Sequence, residues 1–204
     1  MGGYRFWKEL MDRFSALVAL LILSPFFLVM AFWIKLDSTG AVFYRQQRIG
    51  IKGIPFFLLK FRTMRPASDR EGLLTVGSQD SRITRAGYWL RKYKIDELPQ
   101  LWNVLKGEMS IVGPRPEVEK YVRLYSPEQR LVLDVKPGLT DLASLQYFDE
   151  SDLLARSPDP EQTYIAEIMP AKLALNRRYI DQMRFWTDLG IIFRTIKRIF
   201  QSEG

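Results

Sequence analysis

The chain has 204 residues, with 30 Lys and Arg against 23 Asp and Glu, and contains neither cysteine nor histidine. This length suits one domain, or one domain with an appendage, and is sufficient for a hydrophobic core. The net charge of +7 favours an anionic partner, namely a phosphate-bearing substrate, an anionic lipid surface or a nucleic acid. The composition excludes a disulfide framework, a zinc finger and any histidine-based catalytic pair. Catalysis would therefore fall to carboxylates, lysines and arginines.

Residues 14–34 form an uncharged, mostly apolar run of 21 residues with Ser24 and Pro25 near its middle. The run is long enough to cross a hydrocarbon core as a helix. A signal peptide fits less well, because Glu9 and Asp12 precede the run and a small-residue cleavage pattern is missing. A buried core helix also fits poorly, because Phe and Leu lie all round the helix. Pro25 predicts a kink, and Ser24 can satisfy the carbonyl that is freed there.

The charges that flank this run distinguish two membrane topologies. Basic residues stand on both sides of the run, and positively charged flanks favour the cytoplasmic side. A straight span satisfies one flank, whereas a helix that bends at Ser24 and Pro25 and returns to the same face satisfies both. We therefore predict a re-entrant helix-turn-helix membrane anchor over residues 1–36 and a cytoplasmic domain over residues 37–204. The flanking basic residues are Arg5, Lys8, Arg13, Lys35, Arg45, Arg48 and Lys52.

Two short strands are predicted after the anchor, because β-branched and aromatic residues flank a glycine-bearing turn. Alternation along the second strand places Lys60 and Arg62 on one face, where they either bind an anion or form a solvated strand edge. The predicted elements of this part are strands over residues 41–44 and 54–60, a polar loop over 66–81 and a helix over 82–94.

The stretch from Arg91 to Arg115 concentrates the residues that suit catalysis. Asp96 and Glu97 are adjacent carboxylates, which can serve as nucleophiles, as acid or base groups, or as ligands for magnesium. The basic residues around them suit phosphate, so the stretch indicates phosphoryl or nucleotide-phosphate chemistry. The alternative is an ordinary helix N-terminus, with Asp96 as its cap and Pro99 in its first turn.

The rest of the chain predicts helices with few strands. The last helix is basic and amphipathic, which suits an anionic membrane surface as well as the outer face of a soluble domain. The fold class is therefore α/β, rich in helices and with short strands. The predicted elements are a helix over residues 97–105, a strand over 109–112, a rigid turn over 113–116 that presents Arg115, a helix over 117–133 broken at Pro127, a Pro-Gly turn beside Lys136, a surface loop over 149–161, and helices over 173–179 and 185–200.

Several segments in this order resemble the bacterial sugar transferases, also called the monotopic phosphoglycosyl transferases, over nearly the whole chain. The resemblance implies a compact membrane-associated catalytic domain over residues 37–204. It also implies interfacial amphipathic helices and a re-entrant helix that holds the domain on the cytoplasmic face of the bacterial inner membrane. The segments are the apolar N-terminus with Ser24-Pro25, Lys60-Phe61-Arg62-Thr63-Met64, Asp96-Glu97-Leu98-Pro99-Gln100-Leu101, Asn103-Val104-Leu105-Lys106-Gly107, Gly113-Pro114-Arg115-Pro116 and Lys136-Pro137-Gly138-Leu139-Thr140.

The resemblance further implies a reaction: transfer of a sugar-1-phosphate from a UDP-sugar donor to a polyprenyl phosphate acceptor, usually undecaprenyl phosphate, with release of UMP. This step opens the assembly of a surface glycan. By the same resemblance, Asp96 forms a covalent phospho-sugar intermediate, Glu97 assists it, and both carboxylates hold Mg2+. The residues implied to lie near the anionic substrates are Lys60, Arg62, Arg91, Arg115 and Lys136.

The chain departs from many relatives at three positions. Asp141 stands where they have glycine, Ser144 where they have glutamine, and Lys136 where they have arginine, so the sugar of the donor stays open. A non-catalytic scaffold that uses a basic face on membrane lipid is the alternative of another class. Nucleic acid is not expected as a partner, because no recognition motif accompanies the charge. The oligomeric state, a homo-oligomer included, is not determined by the sequence.

Overall fold

A computed structural model describes residues 2–66, 77 and 80–201 of the chain. The described residues are mostly helical with short strands, as the predicted helix-rich α/β class requires. The helices are α1 Gly2–Asp37, α2 Arg85–Lys92, α3 Leu101–Lys106, α4 Glu119–Val122, α5 Pro127–Arg130, α6 Leu142–Gln146, α7 Glu150–Ala155, α8 Pro160–Thr163, α9 Met169–Asp181 and α10 Phe185–Gln201. The strands are β1 Phe43–Ile49, β2 Pro55–Phe61, β3 Ser110–Val112 and β4 Gly138–Thr140.

Two separate strand pairs carry the loops that matter for function. β1 and β2 are antiparallel, with Phe43 opposite Phe61 and Ile49 opposite Pro55. β3 and β4 are parallel, with Ser110 opposite Gly138. At this second pair the two backbones touch, and a Cβ atom on Gly138 would overlap the backbone of Gly113. The absence of a side chain at Gly138 therefore lets the turn after β3 lie against β4.

Several predicted boundaries differ from the observed ones. The predicted surface loop over residues 149–161 is wrong, because it contains α7 and the start of α8. Asp159 accepts a hydrogen bond from the Gln162 backbone, and Pro160 begins the helix, so capping outweighs the polar composition. The Pro-Gly turn near Lys136 continues directly into strand β4. The predicted loop over residues 66–81 lies largely outside the described residues.

Helix α1 runs without interruption from Gly2 to Asp37, through the position where a helix-turn-helix is predicted. Pro25 has no N–H to donate to the carbonyl four residues earlier, which belongs to Leu21. The Ser24 hydroxyl donates to this Leu21 carbonyl at 2.8 Å and replaces the missing bond. The predicted hydrogen bond of Ser24 to the freed carbonyl is therefore present, whereas the membrane break at Ser24 and Pro25 is untested. The re-entrant path of α1 through a membrane stays a prediction.

One face of α1 packs on the rest of the protein along the whole helix. Near its middle, Ala16 packs in a cluster with residues of β2 and α3. Near its end, Ile34 packs with Phe61 and Leu90, and Asp37 accepts a hydrogen bond from the Ala86 backbone at 2.9 Å. The opposite face is apolar and exposed, and among the described residues only α1 is long and apolar enough to cross a membrane. The exposed apolar side chains include Phe6, Leu10, Phe14, Leu17, Leu21, Leu28, Phe32 and Leu36.

A buried polar cluster fixes the first turns of α1. Lys8 pairs with Asp188 of α10 at 2.6 Å and with Asp12 at 3.2 Å. Tyr4 and Tyr179 both donate their hydroxyls to Asp188, at 2.8 Å and 2.7 Å. Buried ions require such partners, because an unpaired charge in the interior is costly. The start of α1 therefore belongs to the same packed unit as α9 and α10.

Candidate active site

The two candidate carboxylates stand on a 3-10 turn, Ile95–Gln100, that packs against β2. Lys94 precedes the turn with a left-handed backbone, φ 54°, which is uncommon for a residue with a side chain. Asn103 of α3 fastens the unit to β2, because its side chain accepts from the Leu59 backbone at 3.0 Å and donates to the Phe57 carbonyl at 2.8 Å. The carboxylates are thereby held beside the end of β2.

Two cations hold the Glu97 carboxylate. Lys60, at the end of β2, donates to Glu97 at 2.9 Å. Arg115, from the turn after β3, donates through both terminal nitrogens, with Nη1 to Oε2 at 3.1 Å and Nη2 to Oε1. Burial raises the pKa of Glu97, but the Arg115 and Lys60 charges outweigh it and hold that pKa well below its usual range. Glu97 is therefore ionised and serves as the anchor of two basic side chains.

The neighbouring carboxylate, Asp96, has a different environment. It is 5% exposed, lines a cavity, and makes no side-chain hydrogen bond or ion pair within the described part of the chain. Burial raises the pKa of Asp96; Lys60 lowers it, and the charge of Glu97 raises it further. The two adjacent carboxylates thus have pKa values displaced in opposite directions, which is typical of groups with separate catalytic roles.

The cavity in front of Asp96 has a volume of about 590 Å3, within the range of small-molecule sites. Basic side chains line its wall around the carboxylates, and aromatic and aliphatic side chains line the remainder. This arrangement suits a ligand with a strongly anionic part and a neutral part. The basic lining residues near the carboxylates are Lys60, Arg62, Arg91, Lys94 and Arg115.

The predicted basic residues do not all face the carboxylates in the same way. Lys60, Arg91 and Arg115 are brought together there, and the charges of the first two act on Asp96. Arg62 lines the cavity, but its Nη2 donates to the Ser38 carbonyl at 2.7 Å, at the C-terminal end of α1. A cation at that end of a helix is favourable. Arg62 thus ties α1 to β2.

The Lys136 side chain does not line this cavity, although its neighbours Val135 and Pro137 do. Its ammonium pairs with Glu9 of α1 at 2.7 Å, and it is not among the residues that line the cavity. Sequence reasoning placed it near the substrates by resemblance alone. In this structure its observed contact fastens the Pro-Gly turn before β4 to the N-terminal part of α1.

Three residues support the site through contacts that no sequence pattern reveals, namely Lys94, Asn103 and Asp141. The Lys94 ammonium lies 4.9 Å from the centre of the Phe148 ring. Its positive charge also lowers the pKa of Asp96, although burial and the charges of Lys60, Glu97 and Arg91 have larger effects on that pKa. Asn103 positions the carboxylate turn through backbone contacts. Asp141, singled out only as a departure, is fully buried behind Arg115.

Asp141 connects the turn that carries Arg115 to α6. One carboxylate oxygen accepts from the Ser144 backbone at 2.6 Å and caps α6. The other accepts from the Arg115 backbone at 3.1 Å. A glycine at this position could make neither bond, so the departure from many relatives has a structural reason in this chain.

The carboxylates also fit a magnesium ion. Carboxylates have about four lone-pair sites, and Glu97 uses three of them on Lys60 and Arg115. Asp96 uses none on a described side chain. No group of three or more acidic residues gathers among the residues that the structure describes. Mg2+ can bind through one or two carboxylates and complete its shell with water and substrate phosphates, so the free oxygens of Asp96 would suit it.

We predict that Asp141→Ala lowers the free energy of unfolding by about 2 kcal/mol, because it removes a helix cap and leaves the buried Arg115 N–H without a partner. Urea denaturation of the detergent-solubilised protein measures this. The matched control is Asp159→Ala, an exposed cap with one hydrogen bond, which should lose about 1 kcal/mol or less. Equal losses in both variants would contradict the role of Asp141.

Comparisons with known proteins identify the same family. A family profile described as bacterial sugar transferase matches residues 3–202. The UDP-glucose:undecaprenyl-phosphate glucose-1-phosphate transferase of Caulobacter vibrioides is 36% identical over 97% of this chain and 71% of its own length. The UDP-N-acetylgalactosamine-undecaprenyl-phosphate N-acetylgalactosaminephosphotransferase of Aeromonas hydrophila is 35% identical over 98% of this chain.

These relatives differ in length. The chain spans only 45% of the Aeromonas protein, but 87% of the exopolysaccharide production protein ExoY of Sinorhizobium fredii, to which it is 35% identical over 97% of the chain. The match therefore concerns the part of each relative that corresponds to α1 and the domain packed on it. Because the family profile covers nearly every residue, this chain belongs to the bacterial sugar transferase family and is a transferase.

Proposed function

We propose that this chain transfers a sugar-1-phosphate from a UDP-sugar to undecaprenyl phosphate or a related polyprenyl phosphate, and that it releases UMP. The observation that carries the proposal is the contrast between two neighbouring carboxylates: Asp96 faces the cavity without a partner, whereas two cations hold Glu97. A buried, unpaired carboxylate is costly to stability, which favours a functional role, and it is available as a nucleophile. The names of the Caulobacter and Aeromonas relatives support the same reaction class.

In the proposed first step, a carboxylate oxygen of Asp96 attacks the β-phosphorus of the UDP-sugar. The bond between this phosphorus and the bridging oxygen breaks, and that oxygen leaves on UMP with the electron pair. The product is an acyl phosphate that joins Asp96 to the phospho-sugar. Only the ionised carboxylate attacks, and the charges of Lys60, Arg91 and Lys94 favour that form against the effect of burial.

In the second step, a phosphate oxygen of the polyprenyl phosphate attacks the same phosphorus. The bond to Asp96 breaks, the carboxylate is restored, and the product is a polyprenyl diphosphate sugar. Glu97 keeps Lys60 and Arg115 beside the reacting phosphate, where negative charge must be stabilised in both steps. This positioning role agrees with the lowered pKa of Glu97. Burial raises that pKa, but the charges of Arg115 and Lys60 lower it by more.

We also propose that Asp96 and Glu97 hold Mg2+ together with the substrate phosphates. The ion supplies neutralisation of the diphosphate charge, which suits a cation that binds through few carboxylates. The free lone pairs on Asp96 and the remaining site on Glu97 support this assignment.

The proposed location is the cytoplasmic face of the bacterial inner membrane, with α1 as a re-entrant anchor. Tyr4 near the start of α1 and Asp37 at its end both bond to the domain that carries Asp96. A helix that crosses the hydrocarbon core separates its ends by about 30 Å along the membrane normal. The domain contacts both ends of α1, so in a spanning arrangement it would have to extend through the hydrocarbon core, where its polar groups would be costly to bury. This cost is avoided if both ends of α1 lie on the same side of the membrane.

The reaction is tested by UMP release from a panel of UDP-sugars, with Mg2+ and undecaprenyl phosphate in lipid. We expect release with at least one donor, and a loss of at least about 1,000-fold in Asp96→Asn, because the amide cannot attack. The control is Asp134→Asn, an exposed carboxylate outside the cavity, which should keep wild-type activity. Unchanged release in Asp96→Asn would refute the nucleophile, and no release with any donor from folded wild type would favour the scaffold.

The topology is tested by cysteine labelling, for which the cysteine-free chain gives no background. Phe6 is 68% exposed near the start of α1, and Thr39 is exposed just after its end. We expect Phe6→Cys and Thr39→Cys to react with an impermeant maleimide from the same side of sealed vesicles. Leu21→Cys, exposed in the apolar middle of α1, should stay unlabelled because lipid covers it. Labelling of the first two from opposite sides would establish a span instead.

A further inference from the structure

The cavity has a second polar wall that the proposed chemistry leaves unused. It is formed by α6 and α9, which pack on each other, and it faces the same space as Asp96. Lys172 of α9 is paired with Glu150 of the neighbouring helix α7 at 2.6 Å, so the two charges offset each other. The basic residues that suit phosphate stand instead around the carboxylates. This wall is therefore a surface for a neutral group.

Two side chains in this wall lack internal partners. Asn176 of α9 is 3% exposed, and its side-chain oxygen has no hydrogen-bond partner among the described residues. The Ser144 hydroxyl of α6 makes no hydrogen bond within the same part of the chain, because only its backbone N–H is used, on Asp141. By contrast, Thr140 and Thr195 in the same cavity satisfy each other at 2.6 Å. Unsatisfied polar groups at a buried site call for a ligand or a bound water.

We propose that Asn176 and Ser144 form the subsite that recognises the neutral, hydrogen-bonding part of the donor, either the hydroxyl or acetamido groups of the sugar or the imide of uracil. This inference rests on the proposed function. An asparagine amide offers one acceptor and two donors, and a serine hydroxyl offers one donor and two acceptors, so together they match groups that carry both. Ser144 lines the cavity with a short side chain.

Asp141 has a separate role from this subsite. Its carboxylate is fully buried and both of its oxygens are used by backbone N–H groups, so it does not face a ligand. It does fix the first turn of α6 and thereby the position of Ser144. Of the two departures in this segment, only Ser144 can contact a donor.

The inference is tested by direct binding, measured without turnover in the Asp96→Asn background. UDP-glucose, UDP-N-acetylgalactosamine and UMP are titrated calorimetrically into the full chain in lipid nanodiscs. We expect Asn176→Leu and Ser144→Ala to raise the Kd of at least one UDP-sugar by about 10- to 100-fold, because each removes hydrogen bonds to a buried ligand. Gln146→Ala, an exposed residue of α6 outside the cavity, is the matched control and should leave every Kd unchanged.

The outcomes separate the two sources of the ligand group. A Kd that rises for one UDP-sugar more than the other, with UMP unchanged, assigns the subsite to the sugar. An equal rise for all three ligands assigns it to uracil. Unchanged Kd values in both folded variants, or no binding of any ligand to the parent protein, would overturn the subsite. Should Asn176→Leu fail to fold, Ser144→Ala and Asn176→Asp carry the test.

The same experiment distinguishes this inference from the proposed function. UMP release by protein with Asp96 intact reports on the reaction, whereas the titrations report on recognition. If the donor Kd values change in the Asn176 and Ser144 variants but no UMP is released by protein with Asp96 intact, the proposed reaction is contradicted and the subsite stands. If UMP is released but the donor Kd values do not change in the Asn176 and Ser144 variants, the subsite is contradicted and the proposed reaction stands.

Discussion

The site depends on the double ion pair of Glu97. Lys60 comes from β2, Glu97 from the turn before α3, and Arg115 from the turn after β3, so one carboxylate joins three elements that are distant in the chain. Removal of one partner from such a buried group leaves an uncompensated charge, which typically costs about 3–5 kcal/mol. By occupying both cations, Glu97 also leaves its neighbour Asp96 unpaired. The same contact thus stabilises the domain and makes the adjacent carboxylate available.

Supports behind the site connect this arrangement to α1. Asn103 bonds to the edge of β2, Arg62 bonds to the end of α1, and Lys136 bonds to Glu9 near its start. One face of α1 is therefore part of the domain core, while the other presents exposed apolar side chains. An enzyme whose acceptor is a lipid needs its reacting groups held at a fixed depth relative to the membrane. A helix that packs on β2 and α3 along its length would provide such a fixed position.

The sequence predicts which side chains gather at the cavity better than the contacts that place them. Asp96, Glu97, Lys60 and Arg115 stand in the motifs that carry the resemblance, and the structure brings all four together. Arg62 and Lys136 occur in the same motifs, yet their partners are Ser38, just after α1, and Glu9 on α1, and no spacing reveals a tertiary contact. The left-handed backbone at Lys94 has no sequence signal, because such a conformation at a non-glycine residue depends on its surroundings. Helix α8 was missed because the cap at Asp159 outweighs the polar composition. Helix α7 was missed because no local signal marks its start, since Asp149 before it makes no side-chain cap hydrogen bond.

The central claim is that Asp96 carries a covalent phospho-sugar, and mass spectrometry tests it most directly. The full chain is incubated with Mg2+ and the donor that supports UMP release, without acceptor, quenched, and digested. The account predicts a mass increase of one phospho-sugar on the peptide that contains Asp96, its loss when undecaprenyl phosphate is added before quenching, and its absence in Asp96→Asn. Full turnover with no modified peptide at any time, or modification of a different residue, would contradict the account.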